Sequence, residues 1–561
     1  PTSDLGKKML ARATKKPADA GPEDYVRELF EKSLKTDWSW WKLRVDGEHG
    51  VVRHFLVGEP NFQAPGVAGR GTRGYVALDA DNIDGQFYYL KDAWRVVSRQ
   101  IDKEGKILQF LNKNGVKYIP TLECHGDIIS PTIQLTKTNQ LWKDLHKRKT
   151  SAVCPFKKHQ HYRIVVKEVG QEMAKFERGR QLIHALWCCI FAHSEAYAKG
   201  IIHRDISAGN LLRYFDQSTG QWCGLLNDWE MAKDTSSKRS KGRQHDRMVS
   251  GLGTIHLLFE LIMSDQGTWQ FMSAAALEAP RKQIGVEDEL ESFFHVLLFL
   301  AIRFLRHNCD NVAAFVHAYF DDFSTFNTGH YGCGAMKMLC MANGRIAIKM
   351  DGGVVSLLEF IWPPPAGNPA EVDARSHPLN ELMQTILGWL QAHYSLMPVA
   401  NTRANSPTAP VPAAAEESDE EEVLLLAGKP PRDPMELEHG QPSAPVSREA
   451  QEALAQKLYT HQAMLELLEG ALHGTTKWPP SDKTKDQLSE SEEGYEHGAD
   501  IKADSTDLLK HGAQRRRTCG AGPSHKRRWD QLEQAVAQDS PKRQKSVIRK
   551  SIRTRKQRRS S

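Results

Sequence analysis

Long apolar runs are scarce in this chain of 561 residues. Stretches such as "HVLLFLAIRFL" (295–305) fall well short of the roughly 20 residues that a membrane-spanning helix needs. The N-terminal "PTSDLGKKMLARATKK" lacks the apolar block of a secretory signal, and it starts with Pro rather than Met, which reads as a processed form or a fragment. Cysteine is also sparse. Nine are scattered without a pair of CxxC motifs, and the adjacent Cys188 and Cys189 sit in an apolar helical run where neighbours point to different faces. Neither a disulfide framework nor a zinc site follows, and a reducing compartment is expected.

A net basic charge is missing from most of the chain. The net charge is +6, yet residues 511–561 hold sixteen Lys or Arg against Asp530, Glu533 and Asp539. That segment therefore carries a surplus of thirteen positive charges, and the remainder is net negative by seven. At this length two to four structural units are expected. Residues 22–165 contain strand-like runs, "HFLVGEP", "RGYVALDA" and "GQFYYLKDAW", set between turn signals. Further on, "RQLIHALWCCIFAHSEAYAKG" (180–200) repeats Leu182, Leu186 and Ile190 on one helical face before Gly200. Strands first and helices afterwards predict an α+β fold. Residues 399–446, rich in Pro, Ala and acid, have too little apolar surface to offset the entropy of ordering, and are expected to be disordered. An amphipathic helix is predicted over 447–470, with Ser447 as its cap and Leu454, Leu458, Leu465 and Leu468 in a stripe. Its apolar face needs a partner, either the folded body or another chain.

The polar loop "HRDISAGN" (203–210) lies between the apolar pairs Ile201–Ile202 and Leu211–Leu212. A turn between two buried strands would explain it, and so would phosphoryl transfer, which needs phosphates held, metal ions placed and a hydroxyl aimed in line. The second reading requires further parts in order. "GRGTRGYVALD" supplies Gly69, Gly71 and Gly74, whose backbone N–H groups could approach phosphates, with Val76 over an adenine ring. A merely basic turn around Arg70 and Arg73 is the alternative there. Lys91 follows 17 residues after Gly74 at the end of an aromatic strand, where it would meet the α- and β-phosphates. It would pair with Glu104, which opens a helix containing Ile107, Leu108 and Leu111. Asp205 would orient the attacking hydroxyl, and Asn210 would hold a metal ion through its amide oxygen. Eighteen residues beyond Asn210, the strand-like "LLNDWEMAK" ends in Asp228, a carboxylate suited to Mg²⁺.

These blocks, with "GTWQFMSAAAL" (267–277) and "DELESFFHVL" (288–297), resemble the fungal-type protein kinase family within the eukaryotic protein kinase-like superfamily, over residues 60–305 and on to about 396. The resemblance implies a bilobed protein-kinase-like fold, with a β-rich N-lobe at 61–166 and a helical C-lobe at 167–398. A flank at 1–60 would precede them, and a mostly disordered tail at 399–561 would follow. It also implies ATP and Mg²⁺ as cofactors, protein substrates and transfer to Ser or Thr. By the same resemblance Glu168 and Val169 belong to the hinge that meets adenine, and Thr268 contacts Asp205. Arg204 would meet a phosphate on the activation segment, with Thr235, Ser236 and Ser237 as candidate acceptors. Trp229–Glu230 depart from the usual Phe–Gly, Ser207 stands in place of a lysine, and Ala275 in place of a glutamate that pairs with arginine. Two inserts interrupt the pattern, an apolar one near 248–265, readable as a retained intron, and one at 307–361 with a strand-like hairpin. A catalytically weak pseudokinase scaffold and a small-molecule phosphotransferase are the other readings, though "GTWQFMSAAAL" argues against the last. In the tail, Lys526–Arg527–Arg528 and Lys542–Arg543–Gln544–Lys545 resemble a two-part nuclear import signal. Contact with polyanions would be phosphate-driven and non-specific. The acidic block Glu416–Glu422 could mask this tail, and Ser418 within it suits an acid-directed kinase.

Overall fold

The computed structural model describes residues 2–18, 20–47, 50–64, 70–98, 101–129, 132–145, 157–235, 269–279, 282–325, 331–350, 354–364, 375–397, 447–474 and 477–490. All of them fall in the unit Pro1–Ser505. Gly69, Ser236, Ser237, Thr268, the 248–265 insert, the acidic block with Ser418, and the basic segment lie outside the described residues.

Seven antiparallel strands build the first lobe. They are β1 (Trp41–Asp46), β2 (Val52–Val57), β3 (Phe62–Gln63), β4 (Arg73–Asp79), β5 (Asn82–Val96), β6 (Leu122–Asp127) and β7 (His159–Val166). Their order is β1-β2-β4-β5-β7-β6, with β3 on β4. The sheet curls so that β6 returns to β1. A Cβ on Gly126 would collide with the Asp46 carbonyl, so only glycine allows this approach. Alternation decides which side of each strand is apolar. Val45, Phe55, Val57, Tyr75, Ala77, Leu90 and Val165 form one core, while Leu56, Val76 and Leu78 face a second. Two helices, α1 (Asp4–Thr14) and α2 (Tyr25–Ser33), cover that second face with Met9, Ala13 and Phe30. The boundary drawn at residue 60 is thereby corrected, because β1, β2 and both helices belong to the lobe. Helix α3 (Glu104–Lys113) packs on the sheet through Ile107, Leu108 and Leu111.

Helices follow, as expected. Helix α5 (Gly179–Ala198), the fifth after α4 (Thr138–Leu145), ends at Gly200, whose φ of 83° suits a helix stop. The buried helix Val286–Phe304 packs against it. No helix among the described residues is long and apolar enough to cross a membrane. Their seven cysteines are all free. The 307–361 insert folds into short helices and two hairpins, one pairing Ala347–Lys349 with Val355–Leu357.

The predicted helix over 447–470 is two helices, Arg448–Ala455 and Gln462–His473, joined by a short 3-10 turn. They are docked on the second lobe, not free, and the residues beyond them stay attached. Asp482 accepts from Gly179 N at 2.8 Å, Asp486 pairs with Arg303 at 3.0 Å, and Lys483 donates to Ala174 O at 2.7 Å. This corrects the tail assignment for residues 447–490. The physical reason is the Leu458, Met464 and Leu468 stripe, which loses almost all exposure against the lobe.

Candidate active site

Strand β5 carries Lys91 inward between the lobes, because its alternate residues Phe87, Tyr89 and Lys91 share one face. The ammonium lies 3.0 Å from Glu104 Oε2, 2.7 Å from Asp228 Oδ1 and 3.4 Å from Glu230 Oε2. Glu104 sits at the first position of α3, where a carboxylate is favoured by the helix dipole. Gly105 beside it, an unfavourable residue for a helix interior, is demanded here because any Cβ would strike the His125 ring. Asp228 lies two residues beyond the strand Gln221–Leu226 and holds φ at 58°, a conformation Asp tolerates better than most side chains. Trp229, fully buried, locks that turn by donating to Leu226 O at 2.9 Å and packing edge-on to His203.

Electrostatics follow from this crowding. Burial works against the Lys91 cation, but Asp228, Glu104 and Glu230 outweigh it and raise its pKa well above the usual value. Burial also opposes ionisation of Asp228, yet Lys91 and Arg70 hold its pKa down at about 2. Glu104 goes the other way. Desolvation, aided by the two neighbouring carboxylates, lifts it to about 7 despite Lys91. Arg70, in the glycine-rich turn, pairs with Glu230 at 2.6 Å.

The loop 203–210 lies alongside. Asn210 Nδ2 donates to the Asp205 carbonyl at 2.8 Å and to its carboxylate at 2.9 Å, and Asn227 N donates to Asn210 O at 2.9 Å, which sets Asn210 beside Asp228. Arg204 adopts φ 74° and donates its N–H to Glu289 at 2.9 Å. Its side chain lines a recess with Arg70, Arg95, Lys103, Lys157 and Lys233. Thr235 is engaged with Gly200 O through both its backbone N–H and its hydroxyl.

Residues 39–301 match the family model described as fungal protein kinase. Over that segment the chain is similar to the fungal protein kinase family. No curated protein matches the chain. Within the matched segment Lys91, Glu104 and Asp228 meet, Asp205 and Asn210 meet, and Gly71 takes a left-handed turn at φ 54°. Gly74 is required because a Cβ would overlap the Tyr89 hydroxyl. Val76 and Val169 also come together, but in one buried cluster with Met9 and Phe30 rather than facing open space. Glu168 is tied to Thr121 by its carboxylate, at 2.6 and 2.7 Å.

Several partners escaped the sequence reading. Glu230 was recognised as a departure but not as a partner of Lys91 and Arg70. Lys337, from the 307–361 insert, is buried and donates to Gln270 O at 2.8 Å, while Asp321 accepts from the Gln270 amide at 2.6 Å. Glu291 and Tyr394 take the Ala274 and Ala275 N–H groups, each at 2.8 Å. The insert thus helps to fasten the segment around Ala275, where the usual glutamate is missing. An isolated lysine in "GAMKML" gives no sign of this; only its apolar setting hints at burial.

Proposed function

We propose that this chain is an ATP- and Mg²⁺-dependent enzyme that transfers the γ-phosphate to Ser or Thr hydroxyls of protein substrates. The observation that carries the reading is Lys91 held between Glu104 and Asp228 while Asp205 and Asn210 share the adjoining loop. The donor set fits the metal. Asp228 is anionic, and Asn210, with its amide N–H groups turned to Asp205, keeps its amide oxygen for a hard cation. Mg²⁺ on these two residues would neutralise phosphate charge. Lys91 would hold the α- and β-phosphates, Gly71 and Gly74 would let backbone approach them, and Asp205 would orient the acceptor hydroxyl. Val76, Glu168 and Val169 would adjoin the base. Thr268 keeps its expected part in presenting the peptide, and Arg204 with Lys233 suits a phosphate on the activation segment. The paired basic clusters of the tail support a nuclear location.

A phosphotransfer assay on generic peptides tests this. Asp205→Asn is expected to lower the rate by about 10²–10⁴-fold, the usual worth of a proton-orienting group, and Asp228→Ala to abolish Mg²⁺-dependent transfer. Transfer by Asp228→Ala at the wild-type rate would remove the reading. The second reading, a weak pseudokinase scaffold, is favoured by one feature. Glu230 occupies Lys91 and Arg70, both cations that phosphates would need.

A further inference from the structure

The face of β4 and β5 that bears Lys91 is covered by the chain's own N-terminal helices. Val76 stands opposite Tyr89, and Gly74 opposite Lys91, so all four residues line one side of the cleft. Under the proposed function this is where the base would lie, between Val76 and the lobe-crossing residue Val169. Both are nearly inaccessible, at 1% and 5% exposure, and their neighbours are Met9 and Ala13 of α1 and Phe30 of α2. Tyr89 fills more of the same space, with its hydroxyl under Gly74. The Tyr25 hydroxyl at the start of α2 donates to the Val169 carbonyl, taking a backbone acceptor that a bound base would otherwise find.

We propose that α1 and α2 are an internal occupant of the base-binding space, so that nucleotide and the docked helices exclude one another. This rests on the proposed function for where the base sits, and deepens it by assigning the site its regulation. The attachments suit a body that swings. Arg27 binds α1 to α2, donating to Ala13 O at 2.7 Å and pairing with Asp24 and Glu31. The C-terminal end of α2 is anchored by Glu59 N donating to Ser33 O at 2.7 Å, and a Cβ on Gly58 would collide with that same carbonyl. The Tyr25 end is held to the crossover by its hydroxyl and to the second lobe by its ring, whose centroid lies 5.5 Å from that of Trp222. Rotation about the Ser33–Gly58 contact would free Val76 and Val169 together. Apparent nucleotide affinity is then the intrinsic affinity scaled by the fraction of molecules with the helices displaced.

The test uses the full chain and a fluorescent ATP analogue with Mg²⁺. Phe30→Ala, checked for folding by circular dichroism, is expected to bind at least tenfold more tightly than wild type, and Tyr25→Phe a few-fold more tightly. In wild type, saturating ATP is expected to raise hydrogen exchange in residues 4–33, a measurement that needs no variant. Equal affinities in wild type and Phe30→Ala, or nucleotide binding that leaves exchange in 4–33 unchanged, would overturn the proposal while leaving the phosphotransfer reading intact. Tight nucleotide binding by Phe30→Ala without peptide phosphorylation would overturn that reading and support this one. Absence of nucleotide binding in every protein would overturn both.

Discussion

Lys91 and Arg70 face three carboxylates in the cleft, and the outcome is one carboxyl that ionises with difficulty. Glu104 is that group, its pKa raised from 4.5 to about 7 chiefly by burial. A carboxyl with a raised native pKa favours the folded state while protonated. Its contribution is complete below 4.5 and disappears as pH climbs to about 7. Such a shift is worth at most about 3 kcal/mol. Buried histidines titrate in part of the same window, so the informative quantity is the stability of wild type minus that of Glu104→Gln, from urea unfolding at several pH values. This difference is expected to decline between pH 4.5 and 7 and then level off, and a flat line would refute it. The residues of this cluster that were legible in the sequence, Lys91, Glu104 and Asp228, sit in stretches whose local pattern carries their chemistry. Glu230 and Arg70 were not legible as a pair, because their meeting depends on how two distant turns approach each other.

Amphipathic helices announce that one side will be covered, and leave open by what. Leu458 and Leu468 gave the 447–470 stripe its signal, but only the packing against α5 and the helix Pro378–Leu396 identifies the folded body as the partner. The helices α1 and α2 illustrate the same limit, since their apolar sides say nothing about Val76 or Val169. Leu468 is fully buried, so Leu468→Ala is expected to cost about 2–5 kcal/mol, measurable by denaturant unfolding. A loss under 1 kcal/mol would mean that the segment is loosely held. One polar chain also joins it to the loop 203–210. His461 Nε2 and His193 Nδ1 lie 2.6 Å apart, His193 Nε2 is 3.1 Å from Glu289, and Glu289 accepts the Arg204 N–H. Desolvation lowers the pKa of both rings, His193 to about 3 and His461 to about 2. Neutral rings stabilise this docking above pH 6.5, and the contribution is lost as pH falls toward those values. Amide protection in 447–474, relative to the intrinsic exchange rate at each pH, is therefore expected to fall at pH 5 compared with pH 7.5, while the interior of α5 stays protected. Unchanged protection at pH 5 would contradict the link.

Charge on the whole molecule is divided between a net negative majority and the strongly basic residues 511–561. Net charge alone, at +6, would suggest weak and diffuse attraction to polyanions. Concentrating thirteen surplus positive charges in one segment instead allows several phosphates to be neutralised at once, with release of their counterions. Full-length protein is therefore expected to bind duplex DNA with an affinity that falls linearly in a log–log plot against salt, with a slope of about 0.9 per phosphate contacted. Changing the sequence of the duplex should matter little, since contacts with phosphate carry no base information. Replacing Lys526, Arg527, Arg528, Lys542, Arg543 and Lys545 by Gln removes six of these charges. The slope should then shrink by up to about 5, since each lost phosphate contact removes about 0.9. The residues proposed for phosphotransfer remain untouched by this change, so the proposed peptide phosphorylation should persist. An unaltered slope would locate the binding elsewhere on the chain, and a strong preference for one duplex sequence would show that something other than phosphate is being read.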